Sequence, residues 1–221
     1  YKPPIVITAL GSPRHVVDLV QGYGGIVIAD VSSIKYAKKA ADTGVDGLAL
    51  VSAGAGGHTG TLSPFTFIPA VRDFFDGIIV YAGGIGTGEG ILAAEVLGAD
   101  LVYMGTRFIA TDESRAVDQY KKMLVAAGPD DFILTDSFTG AEAYYLRESI
   151  LKAGYDLDGL KPKSGMDFGG SEDTVSAWKD IWSAGPIGQL VGSQDSIESI
   201  TRGLVTEYHR SKMRTTQAVT L

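Results

Sequence analysis

The sequence predicts an α/β fold built on a parallel sheet. Short apolar runs alternate with helical segments over residues 1–111. The runs at 48–51, 78–81 and 101–104 are continuously apolar, as expected for strands that are buried on both faces. The connections are short, which favours right-handed crossovers between parallel strands. An open doubly wound sheet and a (β/α)8 barrel both fit, because ligands bind at the carboxyl ends of the strands in either.

Five strands and four helices are predicted before residue 111. Ser12-Pro13 and Ser32-Ser33 are typical of helix starts, and Gly44 and Gly98 are typical of helix ends. The predicted strands are 5–9, 25–29, 45–52, 78–82 and 101–105, and the predicted helices are 12–21, 34–43, 62–75 and 87–97.

The alternation stops after residue 111, where the pattern turns helical. Helices are predicted at 113–127, 141–153, 174–184 and 193–211, with a polar loop at 161–173. We therefore predict two parts: residues 1–111 hold the βα units, and residues 112–221 form a helical extension or lid packed on them.

The composition narrows the possible functions. The chain has 221 residues, 45% of them hydrophobic, which is enough for one large domain or a domain with a small cap. Its net charge of −7 argues against nucleic acid or an anionic membrane surface as a partner. With no cysteine and three scattered histidines, disulfides and thiolate catalysis are excluded and we expect no metal site. The sequence contains no run of 18 apolar residues, so no membrane span is predicted and we expect a cytoplasmic protein.

A glycine-rich turn, GGIGTGEG at 83–90, follows one predicted strand and opens a helix. Backbone N–H groups at a helix start bind phosphate well. The turn lacks the spacing of a dinucleotide fingerprint and the lysine of a P-loop. The next strand ends at Gly105-Thr106, whose hydroxyl would add a donor. We predict a phosphate site here, and the alternative is a flexible turn.

A second glycine-rich segment, AGAGGHTG at 53–60, contains His58. Histidine is an acid or base near neutral pH, so His58 is a candidate catalytic residue. The alternative is a loop histidine that bonds a carbonyl or caps a helix. Arg107, Asp112, Glu113 and Arg115 form a charged run that predicts solvated salt bridges. Tyr144-Tyr145 and Trp178/Trp182 are expected to pack in a core.

Three segments in order, AGAGGHTG, VYAGGIGTGEG and LGADLVYMGTRFIATDES, resemble the nitronate monooxygenases (formerly 2-nitropropane dioxygenases). The bacterial FMN-dependent enoyl-thioester reductases share much of this pattern. The resemblance implies an FMN-binding (β/α)8 TIM barrel. By position, His58 matches the catalytic histidine of the family and Gly56 matches a glycine that contacts the flavin.

The same resemblance implies the remaining cofactor contacts. Gly83 and Gly84 match the phosphate turn after the seventh barrel strand. Tyr103, Met104, Gly105 and Thr106 match the Gln-x-Gly-Thr segment that ends the eighth strand. The chain departs from the family pattern where Val51 and Tyr103 replace glutamine and Gly54 replaces glutamate.

A barrel needs eight strands, and five are predicted. The glycine-rich segments align these five with barrel strands 4 to 8. We therefore expect the chain to be the C-terminal part of a barrel that lacks about three βα units, or roughly a hundred residues. The missing N-terminal barrel segment would belong to the same protein or to a separate chain. A homo-oligomer is also compatible with the sequence.

The resemblance implies FMN-dependent oxidation of alkyl nitronates and nitroalkanes by O2, giving a carbonyl compound and nitrite. His58 would act as the catalytic base or stabilise the bound anion. One alternative is an FMN-dependent enoyl-thioester reductase that uses NAD(P)H. A third hypothesis involves no catalysis: a barrel fragment or subunit that binds a phosphorylated ligand.

Overall fold

A computed structural model describes residues 1–165 and 179–218. The chain divides into two compact units. The first unit comprises Tyr1–Ala53, Gly60–Gly83 and Gly90–Tyr103, and the second comprises Gly54–Thr59, Gly84–Glu89 and Met104–Leu221. Each unit therefore contains segments that are far apart in sequence.

Up to residue 103 the helices and strands follow the predicted order, except that a two-residue strand at Gly57–His58 was not predicted. The strands are β1 Ile5–Thr8, β2 Ile26–Val31, β3 Gly47–Val51, β4 Gly57–His58, β5 Ile78–Ala82, β6 Leu101–Tyr103, β7 Phe132–Thr135 and β8 Ala143–Leu146. The helices are α1 Arg14–Gln21, α2 Ile34–Ala41, α3 Pro64–Arg72, α4 Gly88–Leu97, α5 Thr106–Ile109, α6 Asp118–Ala126, α7 Arg147–Lys152 and α8 Ile197–Ala218, with short 3-10 helices at Pro129–Asp131 and Gly188–Leu190.

The first unit holds a parallel sheet of five strands in the order β1-β2-β3-β5-β6. All five predicted strands are present, and the predicted α/β class is confirmed. Leu48, Ala49 and Leu50 are all fully buried. Because successive residues of a strand point to opposite faces, both faces of the sheet are covered here, which explains why the strand sequences are continuously apolar. The carboxyl ends of these strands lead into both glycine-rich segments, at Val51 and Ala82.

Two aspartates support the starts of strands in this sheet. The Oδ2 atom of Asp46 accepts the backbone N–H of Val27 at 2.7 Å. Asp100 does the same for Ile79 at 2.8 Å and also accepts from Arg72. Each aspartate is the residue directly before a strand, Asp46 before β3 and Asp100 before β6. Its carboxylate therefore satisfies a backbone donor near the amino end of the neighbouring strand.

The second unit contains an antiparallel sheet in the order β4-β8-β7. His58 of β4 pairs with Ala143 of β8, and Thr135 of β7 pairs with Ala143 on the other side. Ala143 and Tyr145 alternate into a buried cluster with Ile150 and Ile181. This arrangement makes β8 the central strand that holds His58 in place.

The predicted helix at 141–153 is wrong in its first half, because residues 143–146 form β8 and the helix starts at Arg147. The alternating burial of Ala143 and Tyr145 suits a strand with partners on both sides, and this outweighs the local helical pattern. Residues 112–221 are therefore not entirely helical. The division at residue 111 stays a prediction.

The other late helices agree in part with the prediction. The helix predicted at 113–127 begins at Asp118, and the last one runs over Ile197–Ala218. The helix predicted at 174–184 lies largely outside the described residues, and its described part, 179–184, is not helical. In the ranges 1–165 and 179–218, no helix is both long and apolar enough to cross a membrane.

Candidate functional site

The second unit brings three distant segments together around Gly56. A Cβ atom on Gly56 would lie 2.8 Å from the Oγ1 of Thr106 and 2.8 Å from the backbone N of Gly185. Only glycine allows this close approach of three backbone segments. The hydroxyl of Thr106 accepts the N–H of Gly185 at 2.8 Å, which leaves its own proton available to a ligand. Gly56 and Thr106 are thus neighbours in the second unit.

Two amides of the glycine-rich turn are already used within the second unit. Gly84 donates its N–H to the carbonyl of Gly54 at 2.9 Å. Gly88, the first residue of α4, donates to the Oε2 of Glu207 at 2.8 Å. The helix start does hold an anion, as its partial positive charge favours, but that anion is a carboxylate of the protein itself.

Other amides in the second unit remain available. Within the part of the chain that the structure describes, the N–H groups of Ile85, Gly86, Gly105 and Thr106 have no acceptor. Gly84 and Gly105 also face open space, since no atom lies within 4 Å of a Cβ built on either. Neutral amide donors beside open space are able to bind a phosphate oxygen. They give a chain of net charge −7 a way to hold an anion without basic side chains.

Gly83 belongs to the first unit, where its conformation is fixed. Its φ is +155°, and a Cβ there would lie 2.3 Å from the Oγ of Ser52. Ser52 is fully buried, and its hydroxyl donates to the Tyr81 hydroxyl at 2.8 Å. This buried pair fills the space beside Gly83, so the turn after β5 requires glycine. Tyr103, the last residue of β6, also lies in the first unit.

His58 is held by a side chain that the sequence analysis did not single out. Its Nε2 lies 3.0 Å from the Oγ1 of Thr139, which is 1% exposed. The Thr139 hydroxyl has one proton and donates it to the carbonyl of Ala141 at 3.1 Å. With its proton on Ala141, the Thr139 oxygen is able to accept from Nε2, in the tautomer of His58 that carries its proton there.

The environment of His58 favours the neutral imidazole. Partial burial lowers its pKa below the usual value of about 6.5, because desolvation disfavours the charged form. A neutral histidine at pH 7 is able to accept a proton, which is what a general base requires.

The charged run after β6 does not form the predicted salt bridges. Glu113 instead accepts the backbone N–H of Ile197 at 3.0 and 3.1 Å, at the start of α8. Asp112 accepts from the side chain of Gln194. The Nη1 atom of Arg107 is buried without a partner among the described residues. No ion pair involves Arg107 or Arg115 in residues 1–165 and 179–218.

The aromatic residues behave as the sequence analysis predicts where the structure describes them. Trp182 stacks on Tyr120 with ring centroids 5.0 Å apart, and it packs against a buried cluster that includes Leu124 and Leu146. Tyr145 is fully buried. Trp178 lies outside the described residues. Over residues 1–165 and 179–218, no group of three or more histidine or acidic side chains is placed to hold a metal ion.

The parallel sheet and the glycine-rich strand ends define an α/β protein. The fold is similar to that of nitroalkane oxidase from Streptomyces ansochromogenes, with a TM-score of 0.75 at 24% identity over 96% of this chain and 66% of that chain. A sequence model described as nitronate monooxygenase matches residues 1–164. The chain therefore belongs to the nitronate monooxygenase family.

Two curated relatives show how the family varies. A dehydrogenase of Rhodococcus jostii, named for a 5-hydroxy-7a-methyl-1-oxo-octahydro-1H-indene-4-carboxyl-CoA, is 35% identical over 66% of this chain and 41% of its own length. A probable nitronate monooxygenase of Staphylococcus haemolyticus is 28% identical over 73% of this chain and 49% of its own length. The chain spans less than half of the length of either relative.

Proposed function

We propose that this protein carries out FMN-dependent oxidation of alkyl nitronates and nitroalkanes by O2, giving a carbonyl compound and nitrite. One observation carries the proposal. The segment Gly54–Thr59 brings Gly56 against Thr106 and also places His58 on β4. One short stretch of the second unit therefore carries both a contact to the Thr106 hydroxyl and the candidate base. Membership of the nitronate monooxygenase family supports the same function.

The donor set fits a phosphate group. Gly56 lets its backbone lie against Thr106, because a Cβ would clash with the Oγ1 of Thr106, and the bond from Gly185 does not use the proton of that hydroxyl. Gly105 adds an N–H that has no acceptor among the described residues and lies beside open space. We propose that these three residues hold the FMN phosphate, and that Gly84 shapes the turn, since its own amide is used. Gly83, Tyr103 and Met104 stay predicted cofactor contacts on the sequence resemblance.

His58 is the proposed base. When bound, FMN supplies the two-electron redox chemistry. The unprotonated ring nitrogen of His58 would take the α-proton of a neutral nitroalkane, which leaves a nitronate. The resulting imidazolium would then stabilise that anion. We propose that Thr139 accepts from Nε2 and so fixes the tautomer of the base.

The test is a visible absorption spectrum of the protein expressed from its natural reading frame, recorded before and after anaerobic addition of ethyl nitronate. Flavin bands that change with nitronate support the proposal. The His58→Asn variant should keep the bands and oxidise neutral nitroethane at least 100-fold more slowly. His15→Asn is the matched control, because His15 is exposed on α1. Equal turnover by His58→Asn and wild type would remove His58 from the mechanism.

A second candidate is an FMN-dependent oxidoreductase of thioesters, including the predicted NAD(P)H enoyl-thioester reductase. The identity of 35% to a relative named as a carboxyl-CoA dehydrogenase favours it. Flavin bands that ignore nitronate but bleach anaerobically with NADH or NADPH would select this reductase. Absence of flavin even with added FMN would leave a binding role for a phosphorylated ligand.

The architecture of the whole protein is a proposal, because the chain matches less than half of the length of these two relatives. We propose that an N-terminal barrel segment, in this protein or in a separate chain, completes the barrel of which β1, β2, β3, β5 and β6 would be strands 4 to 8. A cytoplasmic location and a homo-oligomer stay predictions of the sequence.

A further inference from the structure

The last helix, α8, lies directly against the glycine-rich turn within the second unit. A Cβ atom on Gly88 would lie 2.2 Å from the backbone N of Tyr208 and 2.5 Å from the carbonyl oxygen of Leu204. Real Cβ atoms do not come this close to backbone atoms, so only glycine lets the turn and the helix approach each other in this way. The position of the turn therefore depends on the position of α8.

Two side chains of α8 bond to the turn beside this contact. The Oε2 of Glu207 accepts the N–H of Gly88 at 2.8 Å. The buried hydroxyl of Ser211 donates to the Oε1 of Glu89 at 3.1 Å. Glu207 and Ser211 are one helical turn apart, so they lie on the same face of α8. This face holds the glycine-rich turn at two consecutive residues.

The other end of the turn is fixed by a separate contact. Gly84 donates its N–H to the carbonyl of Gly54 at 2.9 Å. A Cβ on Gly185 would lie 2.9 Å from that carbonyl oxygen and 3.2 Å from the Oγ1 of Thr106. The turn is therefore attached at Gly84 close to the hydroxyl that is proposed to bind the phosphate.

The amides between these two attachments are the ones that have no partner. The N–H groups of Ile85 and Gly86 find no acceptor in residues 1–165 and 179–218. An amide binds an anion only when its N–H points at the oxygen, so these two donors are useful only if the turn is held in one conformation. The bond from Gly88 to Glu207 supplies that restraint on the side of α8.

We propose that Glu207 is a positioning residue for the cofactor phosphate. By holding Gly88, it orients the amides of Ile85 and Gly86 toward the phosphate of FMN. The carboxylate also occupies the first amide of α4, so the phosphate is directed to the earlier amides of the turn. The identity of the ligand as FMN rests on the proposed function, whereas the oxidation of nitronates is not needed.

The test compares the dissociation constants of FMN and riboflavin, which differ only in the phosphate, by the quenching of flavin fluorescence on the full chain. Glu207→Ala removes the acceptor, and we expect the constant for FMN to rise about 10-fold or more while that for riboflavin stays within about 2-fold of wild type. A loosened fold would weaken both flavins equally, and that result overturns the proposal. Unchanged FMN affinity in Glu207→Ala overturns it as well.

Glu198→Ala is the matched control, because it makes the same change on the same helix. Glu198 is exposed and pairs with Arg202 of α8, one turn along the helix. This variant should bind both flavins as wild type does. A selective loss of FMN affinity in Glu198→Ala equal to that in Glu207→Ala would show a general effect of charge on α8 and contradict the role of Glu207.

Glu207→Gln separates the hydrogen bond from the charge. The amide oxygen of glutamine still accepts from Gly88 and carries no charge, so FMN affinity should stay within about 3-fold of wild type. A loss as large as that of Glu207→Ala would exclude positioning through the hydrogen bond.

Gly88→Ala tests the same contact from the side of the turn. The added methyl group would meet the backbone of Tyr208, so α8 has to shift away from the turn. We expect the same selective loss of FMN affinity as in Glu207→Ala, with the melting temperature recorded to show that the protein is folded. Wild-type affinity for FMN in the folded Gly88→Ala protein is incompatible with the proposal.

These outcomes are independent of the proposed oxidation, because no nitronate is present. Selective FMN binding that depends on Glu207, in a protein that does not oxidise nitronates, would sink the proposed oxidation and leave the positioning role standing. A wild-type protein that binds FMN no better than riboflavin would rule out the positioning role, whatever the protein oxidises.

Discussion

Thr139 and His58 show at the scale of single residues how the fold sets up chemistry. The pattern around His58 indicates a catalytic histidine or a loop histidine that bonds a carbonyl or caps a helix, and neither prediction names Thr139 as its partner. The structure adds a buried hydroxyl, 81 residues further along the chain, within hydrogen-bonding distance of Nε2. The tautomer of the proposed base would therefore be set by a residue with no motif of its own.

Thr139→Val keeps the shape of the side chain and removes the hydroxyl. We expect turnover of neutral nitroethane to fall about 10- to 100-fold, because His58 loses the group that fixes its tautomer. Thr139→Ser keeps the hydroxyl and should recover most of the rate. The measurement is the pH profile of kcat/KM.

In that profile the rate should fall as pH drops through the pKa of His58, because the base is then protonated. Burial lowers this pKa, so the fall should lie below about pH 6.5. A Thr139→Val profile identical to that of wild type would contradict the role of the hydroxyl.

Gly105→Ala tests the phosphate donor set. A Cβ on Gly105 meets no atom within 4 Å and its φ is −100°, so the folded protein should tolerate alanine. The methyl group would, however, enter the space proposed for the phosphate, and we expect FMN affinity to fall at least 10-fold. Gly203→Ala in α8 is the control, since its Cβ also meets no atom.

FMN affinity is read from the quenching of flavin fluorescence, and stability from the melting temperature. Equal affinities for Gly105→Ala and Gly203→Ala would show that the phosphate lies elsewhere.

At the scale of elements, Asp100 links a strand start to a helix. It accepts the N–H of Ile79 in β5 and pairs with Arg72 of α3 at 2.8 Å. Burial acts to raise its pKa, but the hydrogen bonds from Ile79 and Arg72 and the charge of Arg72 outweigh burial, and the net pKa is lowered. A lowered pKa means that the ionised form stabilises the folded state.

The stability that Asp100 contributes should be present above its unfolded pKa, near 4, and lost as pH falls through the lower folded value. Asp100→Asn should lower the melting temperature at pH 7 by about 2–4 °C and lose less stability than wild type on acidification below pH 4. Asp42→Asn, at the exposed end of α2, is the control. Thermal melts from pH 7 to pH 2 provide the test. Parallel acid curves for Asp100→Asn and wild type would exclude this role.

At the scale of the whole molecule, the proposed cofactor should stabilise the fold. A ligand at 100 times its dissociation constant adds about 2.7 kcal/mol, which corresponds to roughly 5–10 °C for a chain of this length. We expect FMN to raise the melting temperature by this amount.

Riboflavin lacks the phosphate and should raise the melting temperature much less, because the donors around Gly56 and Thr106 then have no oxygen to bind. Equal shifts with FMN and riboflavin would show that the second unit does not bind the phosphate.

The amino-acid sequence by itself determined the five parallel strands, most helix boundaries in residues 1–111 and the nitronate monooxygenase family. These features depend on local information: continuous apolar runs, capping residues and glycines at strand ends. The strand at 143–146 could not be predicted, because its partners, His58 and Thr135, are brought to it only by the fold.

Only the tertiary structure decided the contacts that give the candidate residues their roles. Thr139 reaches His58, Glu207 occupies the amide of Gly88, and Thr106 meets Gly56 across at least 50 residues of sequence. A hydrogen bond depends on distances of a few tenths of an ångström, and such distances are set by packing and not by neighbours in sequence.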